Sequence, residues 1–137
     1  MEMPTPTGRE LEILKVLWDH GPASVRSVAD QLQLDKNLAY NTVQTLLRIM
    51  EDKGLVRHHA VGRTFVYTPC FSRDDSATRF LDRVFDGAVE ELVQSLLRRE
   101  RISADELERL QAMIAAARAG RKSETRKPKS ETNPKFE

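Results

Sequence analysis

The stretch from Asn37 to Gly54, NLAYNTVQTLLRIMEDKG, allows few architectures. Val43, Leu46, Leu47 and Met50 recur at i, i+3, i+4 and i+7, the stripe of an amphipathic helix that must pack on something. The spacing predicts a helix over 38–53 that stops at Gly54. Its other side carries Asn41, Thr42, Gln44, Thr45 and Arg48. A merely solvated helix face favours Glu and Lys over such a series. Thr42 and Thr45 are β-branched and each costs a few tenths of a kcal/mol, roughly, in helix propensity, so something other than propensity selects them. After Gly54, LVRHHAVGRTFVYTP reads as two short β-rich runs around a turn near Val61-Gly62, which predicts a hairpin.

The residues upstream supply two more helices. Thr7 and Glu10 have the spacing of a capping box at the start of a helix running to about His20, with Leu11, Leu14, Leu17 and Trp18 as its buried face and Gly21-Pro22 as its end. Ser24 caps a second helix over 25–33 whose Val25, Val28, Ala29 and Leu32 repeat the apolar spacing. Three helices followed by a hairpin is the order of a winged helix-turn-helix, expected over residues 5–71. In a helix-turn-helix the second helix of the pair lies in the major groove, with its N-terminal residues at base edges. The expected DNA-binding residues are therefore Lys36, Asn37, Tyr40, Asn41, Thr42, Gln44, Thr45 and Arg48, with Arg57, His59 and Arg63 on the hairpin. Thr methyls can meet thymine methyls, and the amides and hydroxyls can bond base edges.

At 137 residues the chain makes one good-sized domain or two small ones, with little room for a deep catalytic cleft. No stretch approaches the roughly 18 to 20 apolar residues of a membrane span, and the start is polar and proline-rich, unlike a signal peptide. A cytoplasmic location without membrane insertion is expected. The single Cys70 excludes an internal disulfide and a thiolate metal cluster, and is expected to be a small packing residue. His58 and His59 are adjacent on a strand and point to opposite faces, so they do not readily share an ion. Neither a metal nor a cofactor is expected. One thiol, no glycine-rich loop and no carboxylate pair on an apolar face argue against an enzyme.

The net charge of +1 is low for a nucleic-acid binder, and residues 1–72 hold eight basic and eight acidic side chains. A DNA footprint there has to be local. Few phosphate contacts per subunit mean modest affinity unless two copies bind together. The same neutrality suits an alternative, a winged helix that grips a protein partner and reads no base.

The second half points to two copies. Ser72 and Asp75 open a helix bearing Ala77, Phe80, Leu81, Val84 and Phe85, and after Gly87 a second stripe runs through Val89, Leu92, Val93, Leu96 and Leu97. Ser103 and Glu106 cap a third helix, with Ile102 and Leu107 at staple positions and Leu110, Ile114 and Ala117 continuing its face. Some 45 residues in three helices are near the lower limit for burying a core alone, so a three-helix dimerisation domain over 72–118 is expected. Its seam would be formed by Phe80, Leu81, Val84, Leu92, Val93, Leu96, Leu97, Leu107, Leu110 and Ile114. A symmetric homodimer would set two reading helices at the spacing of a palindromic operator. Residues 119–137, with KSET at 122–125 and again at 129–132, show no apolar periodicity and are expected to form a disordered charged tail.

GRELEILKVLWDHGPASVRSVADQL, AYNTVQTLLRIMEDKGLVRHHAVGRTFVYTP, VFDGAVEELVQSLL and ISADELERL together resemble the penicillinase-repressor (BlaI/MecI-type) transcriptional regulators over about residues 5 to 118. The resemblance implies a dimeric winged-helix repressor of genes for antibiotic resistance or related stress responses, with its C-terminal helices swapped into the dimer interface. Asn41, Thr42, Gln44 and Thr45 would be its readers, with Arg48 farther along and Arg63 in the wing. In the best known members a membrane-bound zinc protease receptor triggers cleavage at an Asn-Phe pair, and the matching bond here is Ser95-Leu96. A copper-responsive branch carries a C-terminal cysteine cluster, whereas this chain has no cysteine after Cys70.

Overall fold

The computed structural model describes residues 3–35 and 38–124. Helix α1 (Gly8–His20) begins with the expected capping box: the Thr7 N–H donates to the Glu10 carboxylate at 2.9 Å, and the Glu10 N–H donates to the Thr7 hydroxyl at 3.3 Å. Its buried side differs from the expected one. Glu10, Ile13, Leu14 and Leu17 face inward, while Leu11 is 40% exposed and Trp18 only half-buried. The buried stripe is rotated by one residue because Glu10 occupies an apolar position, its carboxylate satisfied by Thr7 and by Lys53.

A two-residue strand β1 (Ala23–Ser24) leads into α2 (Val25–Asp35), where the Ser24 hydroxyl accepts the Ser27 N–H at 3.2 Å. Helix α3 (Tyr40–Lys53) ends at Gly54, whose φ of 87° is the left-handed conformation glycine adopts without strain. The Gly54 N–H bonds the Glu51 carbonyl at 3.0 Å and the Leu55 N–H bonds the Met50 carbonyl at 2.9 Å, the two bonds of a Schellman motif, with Leu55 fully buried behind them.

Strands β2 (Val56–Val61) and β3 (Thr64–Pro69) form the hairpin, closed by Gly62-Arg63 with Val61 opposite Thr64. Gly62, at φ 64°, supplies the positive angle that a tight reversal needs at its first central position. β1 adds to the free edge of β3, with Ala23 opposite Tyr67, and the sheet order is β1-β3-β2. This third strand was not expected, since two residues are too few for a period-2 pattern to register. The molecule is mostly α with a small β wing, a winged helix-turn-helix followed by further helices. Ile13, Leu17, Val28, Leu32, Val43, Leu47 and Met50 from the three helices close on Leu55 and Val56 as one core.

Helix α4 (Arg73–Phe85) starts from a second complete capping box, Ser72 with Asp75. The first compact unit extends to Ala88, so α4 belongs with the winged helix and not with the helices after it, contrary to a division at residue 72. Long-range bonds hold it there. The Trp18 indole N–H donates to the Phe71 carbonyl at 2.8 Å, Arg73 pairs with Asp19 at 2.7 Å, and Arg79 donates to the Thr5 hydroxyl at 2.8 Å. The helix ends at Asp86 and Gly87, both left-handed.

The second unit contains α5 (Val89–Arg98) and α6 (Ala104–Glu124). α5 closes with the same pair of bonds as α3, here with Glu100 at φ 54° in the glycine position. The Ser103 hydroxyl accepts the Glu106 N–H at 3.1 Å at the start of α6. α6 then runs through Gly120 to Glu124, past residue 119 where the charged tail was expected to begin. Its alanine- and arginine-rich run has the propensity to carry a helix across one glycine, which costs about 1 kcal/mol. The remainder of that tail lies outside the described residues.

Candidate nucleic-acid interface

α3 divides as its sequence requires. Val43, Leu47 and Met50 are fully buried, Gln44 is half-buried, and Asn41, Thr42, Thr45 and Arg48 are exposed. Two contacts fix the C-terminal end of this helix. The Lys53 ammonium lies 2.8 and 2.9 Å from the two oxygens of Glu10, locking α3 to the first turn of α1. Burial alone would push the Glu10 carboxyl up. The Lys53 and Thr7 hydrogen bonds and the Lys53 charge outweigh burial and hold it below the ordinary carboxylate range.

The second contact orients the hairpin. His58 Nδ1 lies 2.7 Å from the Glu51 carboxylate, and its ring stacks on Phe65 with centroids 4.3 Å apart and tilts against Tyr67 at 5.4 Å. His58, Phe65 and Tyr67 share one face of the hairpin, since His58 pairs with Tyr67 and side chains alternate along a strand. Burial, and after it the Glu51 charge, raises the Tyr67 phenol above its usual range, partly offset by Arg48.

Between α3, the start of α2 and the hairpin runs a cleft of about 500 Å³. It gathers Tyr40, Gln44, Arg48 and Arg63, four of the residues singled out from sequence, and adds Arg26. The Arg26 guanidinium sits 5.0 Å from the centroid of the Tyr40 ring. No Asp or Glu among the described residues lines this cleft. Arg26 carried no sequence signal, because a lone cation on the outer face of a short helix reads as solvated.

Other expected contacts fall elsewhere. Arg57 and His59 are exposed, but alternation puts them on the opposite hairpin face from His58 and Phe65, and neither lines the cleft. Lys36 and Asn37 lie outside the described residues. Cys70 is exposed and not a packing residue. Its N–H is held by the Leu55 carbonyl at 2.9 Å, while the side chain lies outside the core. No group of three or more His, Cys, Asp or Glu among the described residues could hold a metal ion, and no helix there is long and apolar enough to cross a membrane.

The residues expected at a dimer seam are not buried within the chain. In α4, Phe80 and Val84 are more than half exposed and Leu81 is half-buried. In the second unit Val93, Leu97, Leu107 and Ile114 are 40 to 57% exposed, with Leu92, Leu96 and Leu110 half-buried. Ser95 is half-buried beside Leu96 within α5.

Comparison with known proteins adds to this geometry. The chain is 30% identical over 117 residues to the penicillinase repressor of Bacillus licheniformis, covering 82% of this chain and 91% of that one. It is 31% identical over 115 residues to the transcriptional regulator BlaI of Mycobacterium tuberculosis, covering 81% and 83%. A solution structure of the DNA-binding domain of the repressor BlaI matches 54% of this chain and 90% of its own, at 35% identity and a TM-score of 0.49. The model of the penicillinase repressor family matches residues 6–116, and the chain belongs to that family.

Proposed function

We propose that this protein is a sequence-specific DNA-binding transcriptional repressor that acts as a homodimer on a palindromic operator. The observation that carries the reading is the exposed Asn41, Thr42 and Thr45 face of α3, flanked by an arginine-lined cleft and presented by a member of a repressor family. Asn41, Thr42, Gln44 and Thr45 meet base edges in the major groove, while Tyr40, Arg48 and Arg63 hold the backbone. Lys36 and Asn37, just before α3, add to the approach. Arg57 and His59, on the far face of the hairpin, contribute attraction at longer range. The protein works where the DNA is, in the cytoplasm.

The exposed apolar stripes of α4, α5 and α6 support pairing of two chains through Phe80, Leu81, Val84, Leu92, Val93, Leu96, Leu97, Leu107, Leu110 and Ile114. Repression ends when an inducing signal separates the two halves. If the signal is a membrane-bound zinc protease receptor, the bond cut is Ser95-Leu96, and α5 must open locally to admit the protease because that bond lies within a helix. The test is fluorescence anisotropy with DNA from upstream of the gene and a scrambled control, over a salt series. The expected result is a preference of at least ~10³-fold for the upstream DNA. Thr45→Ala or Gln44→Ala should reduce that preference by about 1–3 kcal/mol. Equal, weak, salt-insensitive binding to both would overturn the reading in favour of a protein-binding module.

A further inference from the structure

Arg26 is the cleft residue that the reading above leaves without a role. It lies in the first turn of α2, a turn with no acidic residue, so the positive end of the helix dipole is uncompensated at the same corner. Its guanidinium, 5.0 Å from the Tyr40 centroid, is within cation–π range. Tyr40 is a firm support, half-buried and packed against the core. Among the described residues, Arg26, Arg48 and Arg63 pair with no carboxylate, although they line one cleft.

Three unneutralised guanidinium groups around about 500 Å³ repel one another, and the group that relieves them is an anion. An arginine stacked on a phenol ring keeps its plane fixed and its N–H fork free, which lowers the entropy lost when the fork takes a tetrahedral oxyanion. The α3 and hairpin sides of the cleft already face the DNA in the repressor reading, on which this inference rests. The anion within reach is then a backbone phosphodiester.

We propose that Arg26, braced on the Tyr40 ring, is a backbone clamp of the DNA interface, binding a phosphodiester from the α2 side of the cleft opposite Arg63. Tyr40 thereby acts mainly through its ring, as a positioning residue, and less through its hydroxyl.

The experiment compares the full-length chain with Arg26→Ala, Tyr40→Leu, Tyr40→Phe and the Arg26→Ala/Tyr40→Leu double variant. Binding to operator and scrambled DNA is followed over a sodium chloride series, with thermal unfolding recorded for each variant. Arg26→Ala replaces an exposed side chain with a better helix former and should keep the wild-type unfolding temperature. It should weaken operator and scrambled DNA alike, on the order of 10-fold, and make the log–log salt slope shallower by about 1 per subunit. Tyr40→Phe keeps the ring and should lose less than Tyr40→Leu. Tyr40→Leu should lose part of what Arg26→Ala loses, and the double variant should lose less than the two single changes together. An unchanged slope for Arg26→Ala while wild type binds would overturn the clamp only. A loss confined to operator DNA would overturn it too, making Arg26 a base reader, and full additivity with Tyr40→Leu would remove the brace. Wild-type protein that binds neither DNA would overturn the repressor reading along with it.

Discussion

The winged helix and the helices after α4 treat apolar side chains in opposite ways. In the first, Ile13, Val28, Val43, Leu47, Met50 and Leu55 are completely buried by their own chain. In the second, α5 has no buried side chain, and among the described side chains of α6 only Leu110 is even half-buried. Both regions have regular amphipathic spacing, so pattern does not separate them. What differs is whether three elements from different directions meet on the stripe. α1, α2, α3 and the hairpin do so around Leu47, and among the described residues the second unit has two helices, α5 and α6. The face of α3 proposed to read DNA is therefore supported by a core completed within one chain, while the apolar stripes of α5 and α6 are left for the proposed second copy to cover.

That contrast is most easily broken at the seam. Leu92→Asp or Leu96→Asp puts a charge on the stripe that a partner would cover, and should convert the dimer to a monomer with an intact winged helix. Losing bivalency should weaken operator binding by about 10²- to 10⁴-fold, because the second half-site no longer binds at high effective concentration. Sedimentation and anisotropy on the same samples check it. A variant that stays dimeric and tightly bound would mean that the two copies meet elsewhere.

A substitution in the winged-helix core sharpens the same comparison. Leu47→Ala removes a fully buried side chain and should cost about 2–5 kcal/mol, by the same amount at any protein concentration. Leu97→Ala, at a position 44% exposed in the single chain, should instead lower the midpoint in a concentration-dependent way, since its loss acts through association. Thermal unfolding over a hundredfold range of concentration distinguishes them. Parallel behaviour of the two variants would contradict the division drawn between the regions.

What could be read from sequence was whatever is local. The capping boxes at Thr7–Glu10 and Ser72–Asp75, the α3 stripe and the turn at Gly62 each span a few residues and form as spaced. Features that depend on distant partners were not legible. β1 exists because Ala23 and Ser24 find the edge of β3 more than 40 residues later. Glu10 faces inward because Lys53 meets it, and Leu11 is displaced outward as a consequence. α4 joins the first unit through Arg73, on Asp19 and over the Trp18 ring, and through Arg79 on Thr5, and none of these partners lies near it in the chain. In the cleft, Gln44 and Arg48 were legible as a helix face, whereas Arg26 becomes informative only once Tyr40 is beneath it.

The Glu10–Lys53 pair sets the smallest of these effects and the one with a pH signature. Glu10 has a carboxyl held below the ordinary range in the folded state, so the unfolded chain binds its proton first as pH falls. The pair's contribution is complete above about pH 5 and is lost as pH falls through the lowered value. Lys53→Met should cost about 1–2 kcal/mol at pH 7, since a hydrogen-bonded ammonium is removed from a buried carboxylate but was itself about a third exposed. Without Lys53, burial is the larger influence on Glu10, and its carboxyl should take up a proton at higher pH in the variant than in wild type. Protonation then relieves the unpaired charge. The stability difference between wild type and Lys53→Met, from denaturant titrations at successive pH values, should therefore shrink as pH falls toward 3. A difference that stays constant would mean that Lys53 acts through its aliphatic packing and not through its charge. Because the pair joins α1 to α3 inside one chain, the cost should not vary with protein concentration, unlike that of any change at the seam.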